Sequence, residues 1–492
     1  MTNLDHFPLY IAGAFTAGST GQTMQSINPA TGKVWATFDC ASQYDVDRAI
    51  QAARAALDLP EWRDMTQTAR GKLLFRLADL IAEKAAHLGR VETTDSGKLA
   101  SETMAQTGYV ADYYRYYAGL ADKIEGAVLP IDKPDMHVFT KPMPIGVVVG
   151  IVPWNAQMFL AATKLAPALA AGCTVVLKAS EIAPAPMLEF ARLINQAGFP
   201  PGVVSIITGD AENCAVPLTR HPDVDRIAFT GGPDTARHVV RNSAENFAVT
   251  TLELGGKSPI LVFDDADLDA AANGLIAGNF GASGQSCVAG TRGLINRPVL
   301  DALKDKITEK CQALVVGDPH DPATHLGPLC TLAQVEKIEA TLAKATAQGA
   351  QIAFGGTRAK AGGYYFQPTL ILANSPETET LKVEMFGPVM TLLPFDTEEE
   401  AIALATDGDF GLGSGVFTQN VARAHRVSSR IRSGITWVNT YRAISPIAPF
   451  GGFNQSGYGR EAGKDAILDY TRTKTTWINT SDAPMANPFV MR

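Results

Sequence analysis

The sequence predicts an α/β fold with two alternating blocks of strand and helix. Two observations carry this. From residue 145 and again from residue 258, short apolar runs alternate with helix-patterned segments, as βαβ units require. The runs are continuous instead of alternating with polar residues, which marks strands covered on both faces of a parallel sheet. The length of 492 residues exceeds what one hydrophobic core holds, so two or three domains are expected.

Taken in order, LYIAGAF and SINPATGKVWATF read as a small strand unit, with Asn28-Pro29 and Thr31-Gly32 as turns. DVDRAIQAARAAL and ARGKLLFRLADLIAEKAAHLGRVETTDSGK carry apolar residues at helical spacing, and a third helix covers Tyr109 to Tyr117. Residues 123–140 read as a weak hairpin. IGVVVGIVP is a buried strand, MFLAATKLAPALAAG a helix and CTVVLKAS a strand. APMLEFARLINQAG is a helix that Gly198 caps, and VVSIITG and RIAFTGG are strands. The second block runs through SPILVFDDAD, DLDAAANGLIAGNFG, GTRGLINR and VLDALKDKITEKCQAL to FQPTLILAN, VMTLLPFD, TEEEAIALATDG and GSGVFTQ. The tail YTRTKTTWINT has the β-branched alternation of an edge strand.

Composition excludes several classes. The chain is 46% hydrophobic and 19% charged, as in an ordinary globular protein. A net charge of −8 argues against nucleic-acid binding. Pro142 to Thr163 lacks charge, but Pro144, Pro153, Asn155 and Gln157 argue against a membrane span. The six cysteines form no C-x-x-C pair and have no histidine at zinc-ligand spacing, so free thiols, a cytoplasmic location and no metal are expected. The N-terminus has no basic and apolar signal pattern.

Three residues stand out for chemistry. Cys287, in FGASGQSCVAGTR, lies among small residues that let a backbone approach a ligand. It is a nucleophile if its pKa is lowered, or else a buried structural cysteine. Glu253 precedes Gly255-Gly256 in TLELGGKSP and reads as a general base or a solvated loop carboxylate. Asn155 ends IGVVVGIVPWN and is either an oxyanion donor or a helix cap. Lys178 and Glu181 end another strand, where they hold a ribose or form a surface ion pair. Phe229-Thr230-Gly231-Gly232 opens a helix at Pro233, a phosphate-binding arrangement, although no G-x-G-x-x-G fingerprint follows any strand.

Together these segments resemble the aldehyde dehydrogenase superfamily. VPWN at 152–155, LKASE at 177–181, FTGG at 229–232, LELGGKS at 252–258, GQSC at 284–287, EMFGPV at 384–389, WVNT at 437–440 and PFGG at 449–452 occur in the family's order. The 34-residue step from Glu253 to Cys287 is also the family's. The resemblance implies a Rossmann-like cofactor domain (1–122 and 141–252), an α/β catalytic domain (253–460) and a small β oligomerisation element (123–140 and 461–492). It implies that Cys287 is the nucleophile, Glu253 the base and Asn155 the oxyanion donor, together with the Cys287 N–H.

The resemblance also implies NAD as cofactor, with NADP possible. The contacts it implies run along Ile151, Val152, Pro153 and Trp154, then Lys178, Ser180 and Glu181. They continue at Phe229, Thr230, Gly231, Gly232 and Leu254, and at Gln334, Glu384 and Phe386. Gly232 matches a position that is often Ser, so a hydroxyl is missing there while the backbone N–H remains. Glu181 beside a ribose favours NAD over NADP. Ala156, Phe159, Ser286, Val288, Arg442, Ile444 and Phe450 are expected to line an aldehyde tunnel. Their apolar character suits a medium aliphatic or aromatic aldehyde, whereas Arg442 would favour a carboxylate-bearing semialdehyde. A homodimer or homotetramer is implied. A coenzyme-A-acylating branch is disfavoured because Glu253 is present, and a non-catalytic scaffold because Cys287, Glu253 and Asn155 are all intact. Nothing in the sequence places a histidine near Cys287 for a thiol hydrolase.

Overall fold

The computed structural model describes residues 4–359, 362–485 and 487–490. Two large sheets dominate it. The first has eight strands, and its five central ones are parallel. The chain enters at the centre with Val147–Ile151, then moves outward through Thr174–Lys178 and Val204–Ile207. It returns to the other side of the first strand with Arg226–Thr230 and Val249–Glu253. This order has its reversal between Val147–Ile151 and Arg226–Thr230, and a crevice opens there at the carboxyl ends of the strands. Those ends lead into Asn155, Gly231-Gly232 and Glu253. Every residue of Val147–Ile151 and Thr174–Lys178 is buried, which accounts for their unbroken apolar pattern.

The second sheet has seven strands, running from Gln351–Phe354 through Arg292–Asn296 and Pro259–Val262 to Ile435–Val438. All of its pairings are parallel except that of Gln351–Phe354 with Thr369–Leu372. The helix Leu268–Phe280 leads from this sheet toward Cys287.

Several elements pair across the expected sequence divisions. The N-terminal segment splits between two sheets: Leu9–Ile11 and Ala14–Thr16 extend the eight-stranded sheet, while Thr23–Asn28 and Lys33–Asp39 join Asp5–Phe7. Gly457–Tyr458 caps the opposite edge of the large sheet, pairing with Leu252 and Glu253. The strand beyond residue 123 runs over Met136–Pro144 and pairs antiparallel along its whole length with Thr471–Asn479. The Tyr-rich helix begins earlier than expected, at Ala100, and ends at Leu120. Among the described residues, no helix is long and apolar enough to cross a membrane.

Candidate active site

Cys287 follows a strained turn. Gly281–Gly284 leaves the helix with Ala282 and Ser283 both at φ 53° and Gly284 at φ 75°. Left-handed backbone at two consecutive non-glycine residues persists only when neighbours enforce it. The enforcing contacts come from four separate places. Glu102 Oε1 accepts the Ala282 N–H at 3.0 Å, and Ser283 Oγ donates to the Gly327 carbonyl at 2.9 Å. Gln285 Oε1 accepts the Cys330 N–H at 2.8 Å, and Asn155 Nδ2 donates to the Gln285 carbonyl at 3.0 Å. A side chain at Gly284 would also strike the Gly387 carbonyl, 2.1 Å from the Cβ position.

Two cavities meet at the sulfur. One, of about 290 Å³, is bounded by the predicted tunnel residues Ala156, Phe159, Ser286, Val288, Arg442, Ile444 and Phe450. The other, of about 210 Å³, is bounded by Pro153, Trp154, Gly232, Leu254, Gln334, Glu384 and Phe386, and by Thr230, Gly231 and Glu253. Cys287 and Asn155 belong to both. The Cys287 side chain is partly exposed. Burial pushes its thiol up to about 12, Glu384 and Glu253 add to the rise, and the N–H groups of Cys287 and Val288 oppose it. The resting group is therefore a thiol.

Asn155 does not cap the following helix, since the N-cap is Ala156 and no side chain bonds there. Glu253 is 3% exposed, and among the described residues neither carboxylate oxygen has a hydrogen-bond partner. Burial raises its pKa well above the usual carboxylate range, and Glu461 adds to this while Lys164 and Arg460 oppose it. Behind it, Lys164 Nζ bonds Glu461 Oε1 at 2.5 Å and Thr230 Oγ1 at 2.6 Å. Glu253 thus has the isolation of a perturbed functional group and not that of a solvated loop carboxylate.

The turn after Glu253 touches both other parts of the site. Gly256 lies so close to the Cys287 carbonyl that a Cβ would fall 2.5 Å from its oxygen. Its N–H donates to Glu384 Oε1 at 2.9 Å. Phe386 stands edge-on to Trp154, with ring centroids 5.4 Å apart. Gln334 donates through Nε2 to the Met385 carbonyl.

The remaining predicted cofactor residues lie outside this cavity. Lys178 ends the neighbouring strand in register with Ile151, and its carbonyl accepts the Val152 N–H at 3.2 Å. Its ammonium is buried and reaches Glu181 at 2.8 Å, so the pair is not a simple surface bridge. Ser180 Oγ accepts the Ile182 N–H. Phe229 packs its ring beneath Gly231.

Several further residues at these cavities were not singled out from sequence. Lys337 lies one helical turn after Gln334 on Leu332–Ala347, a spacing that would have revealed it. Lys98, Glu102 and Gln106 bound the first cavity, so it is more polar than the seven predicted residues suggest. Glu102 and Gln106 share a helix face at i, i+4, and that pattern was present in ASETMAQTG.

The arrangement fits a dinucleotide. Gly232 caps the helix Pro233–Ser243 with no side-chain cap, and nothing lies within 4 Å of its Cβ position. Gly232 bounds the cavity, so this helix start lies where phosphate sites occur. Among the described residues, no cluster of His, Cys, Asp and Glu could hold a metal.

Comparison with known proteins agrees with the geometry. Residues 15–476 match the model of the aldehyde dehydrogenase family. The chain is 53% identical over 490 residues to a (Z)-2-((N-methylformamido)methylene)-5-hydroxybutyrolactone dehydrogenase of Acinetobacter baylyi, covering 99% of this chain and 100% of the relative. Its structure is similar to betaine aldehyde dehydrogenase of Staphylococcus aureus in complex with NAD+, at TM-score 0.95 and 36% identity, covering 98% and 96% of the two chains. The NAD+ complex of aldehyde dehydrogenase from Bacillus cereus is similar at TM-score 0.95 and 37% identity, covering 97% of each chain.

Proposed function

The chain belongs to the aldehyde dehydrogenase family, and from that premise we propose that it oxidises an aldehyde to its carboxylic acid through a covalent adduct on Cys287. The observation that carries this reading is the position of Cys287 and Asn155 at the junction of the two cavities. An aldehyde entering by the first cavity meets the sulfur on one side, and a cofactor in the second meets it on the other. Cys287 gives up its thiol proton to solvent and adds to the carbonyl as the thiolate, and the new oxyanion is held by Asn155 Nδ2 and the Cys287 N–H. NAD, when bound, supplies the acceptor for the hydride that leaves the adduct. Glu253, at the second cavity, then takes a proton from the water that attacks the thioester. The experiment is Cys287→Ala: aldehyde-dependent NADH formation is expected to vanish, and substantial turnover in that variant overturns the assignment.

Lys178 and Glu181 would hold the adenosine ribose, and the carboxylate disfavours a 2′-phosphate. NAD is therefore the preferred cofactor, and a higher kcat/KM with NADP would contradict this. The aldehyde cavity combines an apolar body at Phe159, Val288, Ile444 and Phe450 with polar groups at Lys98, Gln106 and Arg442. A medium-sized aldehyde with an aliphatic or aromatic body fits this wall. Arg442 keeps a carboxylate-bearing semialdehyde as the second reading, although its Nη1 already donates to the Ala277 carbonyl at 3.1 Å. A kinetic panel of aliphatic, aromatic and acidic aldehydes, repeated with Arg442→Ala, separates the two.

The division into a cofactor domain, a catalytic domain and an oligomerisation element follows from the same reading. Self-association through the ribbon of Met136–Pro144 and Thr471–Asn479 is supported by its exposed Trp477 and Ile478.

A further inference from the structure

We propose that Gln106 is a specificity-determining residue that donates a hydrogen bond to an acceptor oxygen on the body of the aldehyde, away from the reacting carbonyl. The cavity then selects aldehydes that carry a second carbonyl or a carboxylate. This rests on the aldehyde-oxidising reading above and names the substrate class that reading leaves open.

The argument starts from a buried ion pair. Lys98 and Glu92 are 4% and 1% exposed, with Lys98 Nζ 3.2 Å from Glu92 Oε1. The same ammonium donates to Gln106 Oε1 at 2.7 Å. An ammonium has donors only, so it selects the oxygen of the Gln106 amide and turns the NH2 group away from itself. Gln106 bounds the cavity that reaches Cys287. Among the described residues, no acceptor is bonded to Gln106 Nε2, and the group is not sealed from the cavity. A donor oriented by a buried charge pair and left without a protein partner at a substrate cavity matches an acceptor on the substrate.

The surrounding charges give the preference its chemistry. Lys98 is neutralised by Glu92, and Glu102 at the same cavity has Oε1 on the Ala282 N–H. The wall beside Gln106 therefore orients an acceptor, and Arg442 at the same cavity supplies the attraction for an anion. Amide and carboxylate oxygens share the hydrogen-bonding chemistry, and the experiment distinguishes them.

The test compares wild type, Gln106→Leu and Gln106→Glu with NAD and three aldehydes of equal chain length: pentanal, 5-oxopentanamide and 5-oxopentanoate. Wild type is expected to favour the acceptor-bearing aldehydes over pentanal. Gln106→Leu should lower kcat/KM for the preferred one by about tenfold more than for pentanal, mainly through KM. Gln106→Glu keeps the Lys98 contact but presents an oxygen in place of the amide NH2, so it should penalise both acceptor-bearing aldehydes and 5-oxopentanoate most. In Gln106→Leu, a larger loss for the amide identifies a neutral carbonyl as the recognised group, and a larger loss for 5-oxopentanoate identifies a carboxylate. Equal changes for all three aldehydes, or none, overturn the role of Gln106 while leaving aldehyde oxidation intact. Failure of wild type to oxidise any of them overturns both readings.

Discussion

Asn155 Nδ2 lies 3.0 Å from the carbonyl oxygen of Gln285 and donates to it. A side chain just beyond the end of one sheet thereby holds the loop two residues ahead of Cys287, the proposed nucleophile. Asn155→Ala removes this tether along with a donor to the oxyanion. A kcat loss of about 10²–10³ is expected from the lost donor. Steady-state kinetics with saturating aldehyde checks it, and a kcat within threefold of wild type would refute the assignment.

Glu253 works as a base only when ionised, and burial followed by the Glu461 charge raises its pKa. The acidic limb of the rate profile for thioester hydrolysis should therefore lie above the ordinary carboxylate range. Glu461→Gln removes a charge that favours the protonated form, and it leaves Lys164 without its partner at 2.5 Å. Both changes favour ionised Glu253, so the limb should move to lower pH. Single-turnover hydrolysis rates across pH measure this, and a shift to higher pH contradicts the electrostatic account.

Glu384 acts on the nucleophile from the cofactor side. After burial, its charge is the largest cause holding the Cys287 thiol up at about 12. Glu384→Gln should lower that pKa and raise the thiolate fraction. Alkylation of Cys287 by iodoacetamide at pH 8 without NAD should accelerate several-fold, as mass spectrometry of the labelled peptide would show. An unchanged or slower rate removes Glu384 from the control of the thiol.

Gly284→Ala tests the turn before the nucleophile. Its φ of 75° and the Gly387 carbonyl 2.1 Å from the Cβ position leave no room for a methyl group. A fall in kcat of tenfold or more is expected, with NAD binding by fluorescence titration retained, because the displaced loop carries Cys287 and not the cofactor strands. Activity equal to wild type would show the loop to be more yielding than its four tethers indicate.

Legibility from sequence followed the range of the interactions. The parallel strands were plain because burial on both faces leaves a continuous apolar run, as in Val147–Ile151. Cys287, Glu253 and Asn155 were each ambiguous alone, and their ordered motifs gave the expected roles. Their burial and shared cavities depend on chain segments more than a hundred residues apart, such as the approach of Glu461 to Glu253. Lys98 and Gln106 escaped notice because their meaning lies in one contact across a helix start, whose beginning at Ala100 had been placed nearer Tyr109. The register between Met136–Pro144 and Thr471–Asn479 spans more than three hundred residues and leaves no local pattern, so only the family resemblance grouped 123–140 with 461–492.

The edge strand Gly457–Tyr458 has a consequence for how the protein is made. A ribosome releases residues in order, so Glu253 pairs first with Thr230 on one side, and gains its second sheet neighbour only when Gly457 emerges and the charges of Arg460 and Glu461 just after it. The nascent chain can assemble the inner parallel strands early, but the Glu253 carboxylate acquires its final environment only after some two hundred further residues. The same dependence forbids a simple division of labour: a fragment ending at residue 252 lacks Glu253, and one that stops short of Gly457 leaves it without that neighbour.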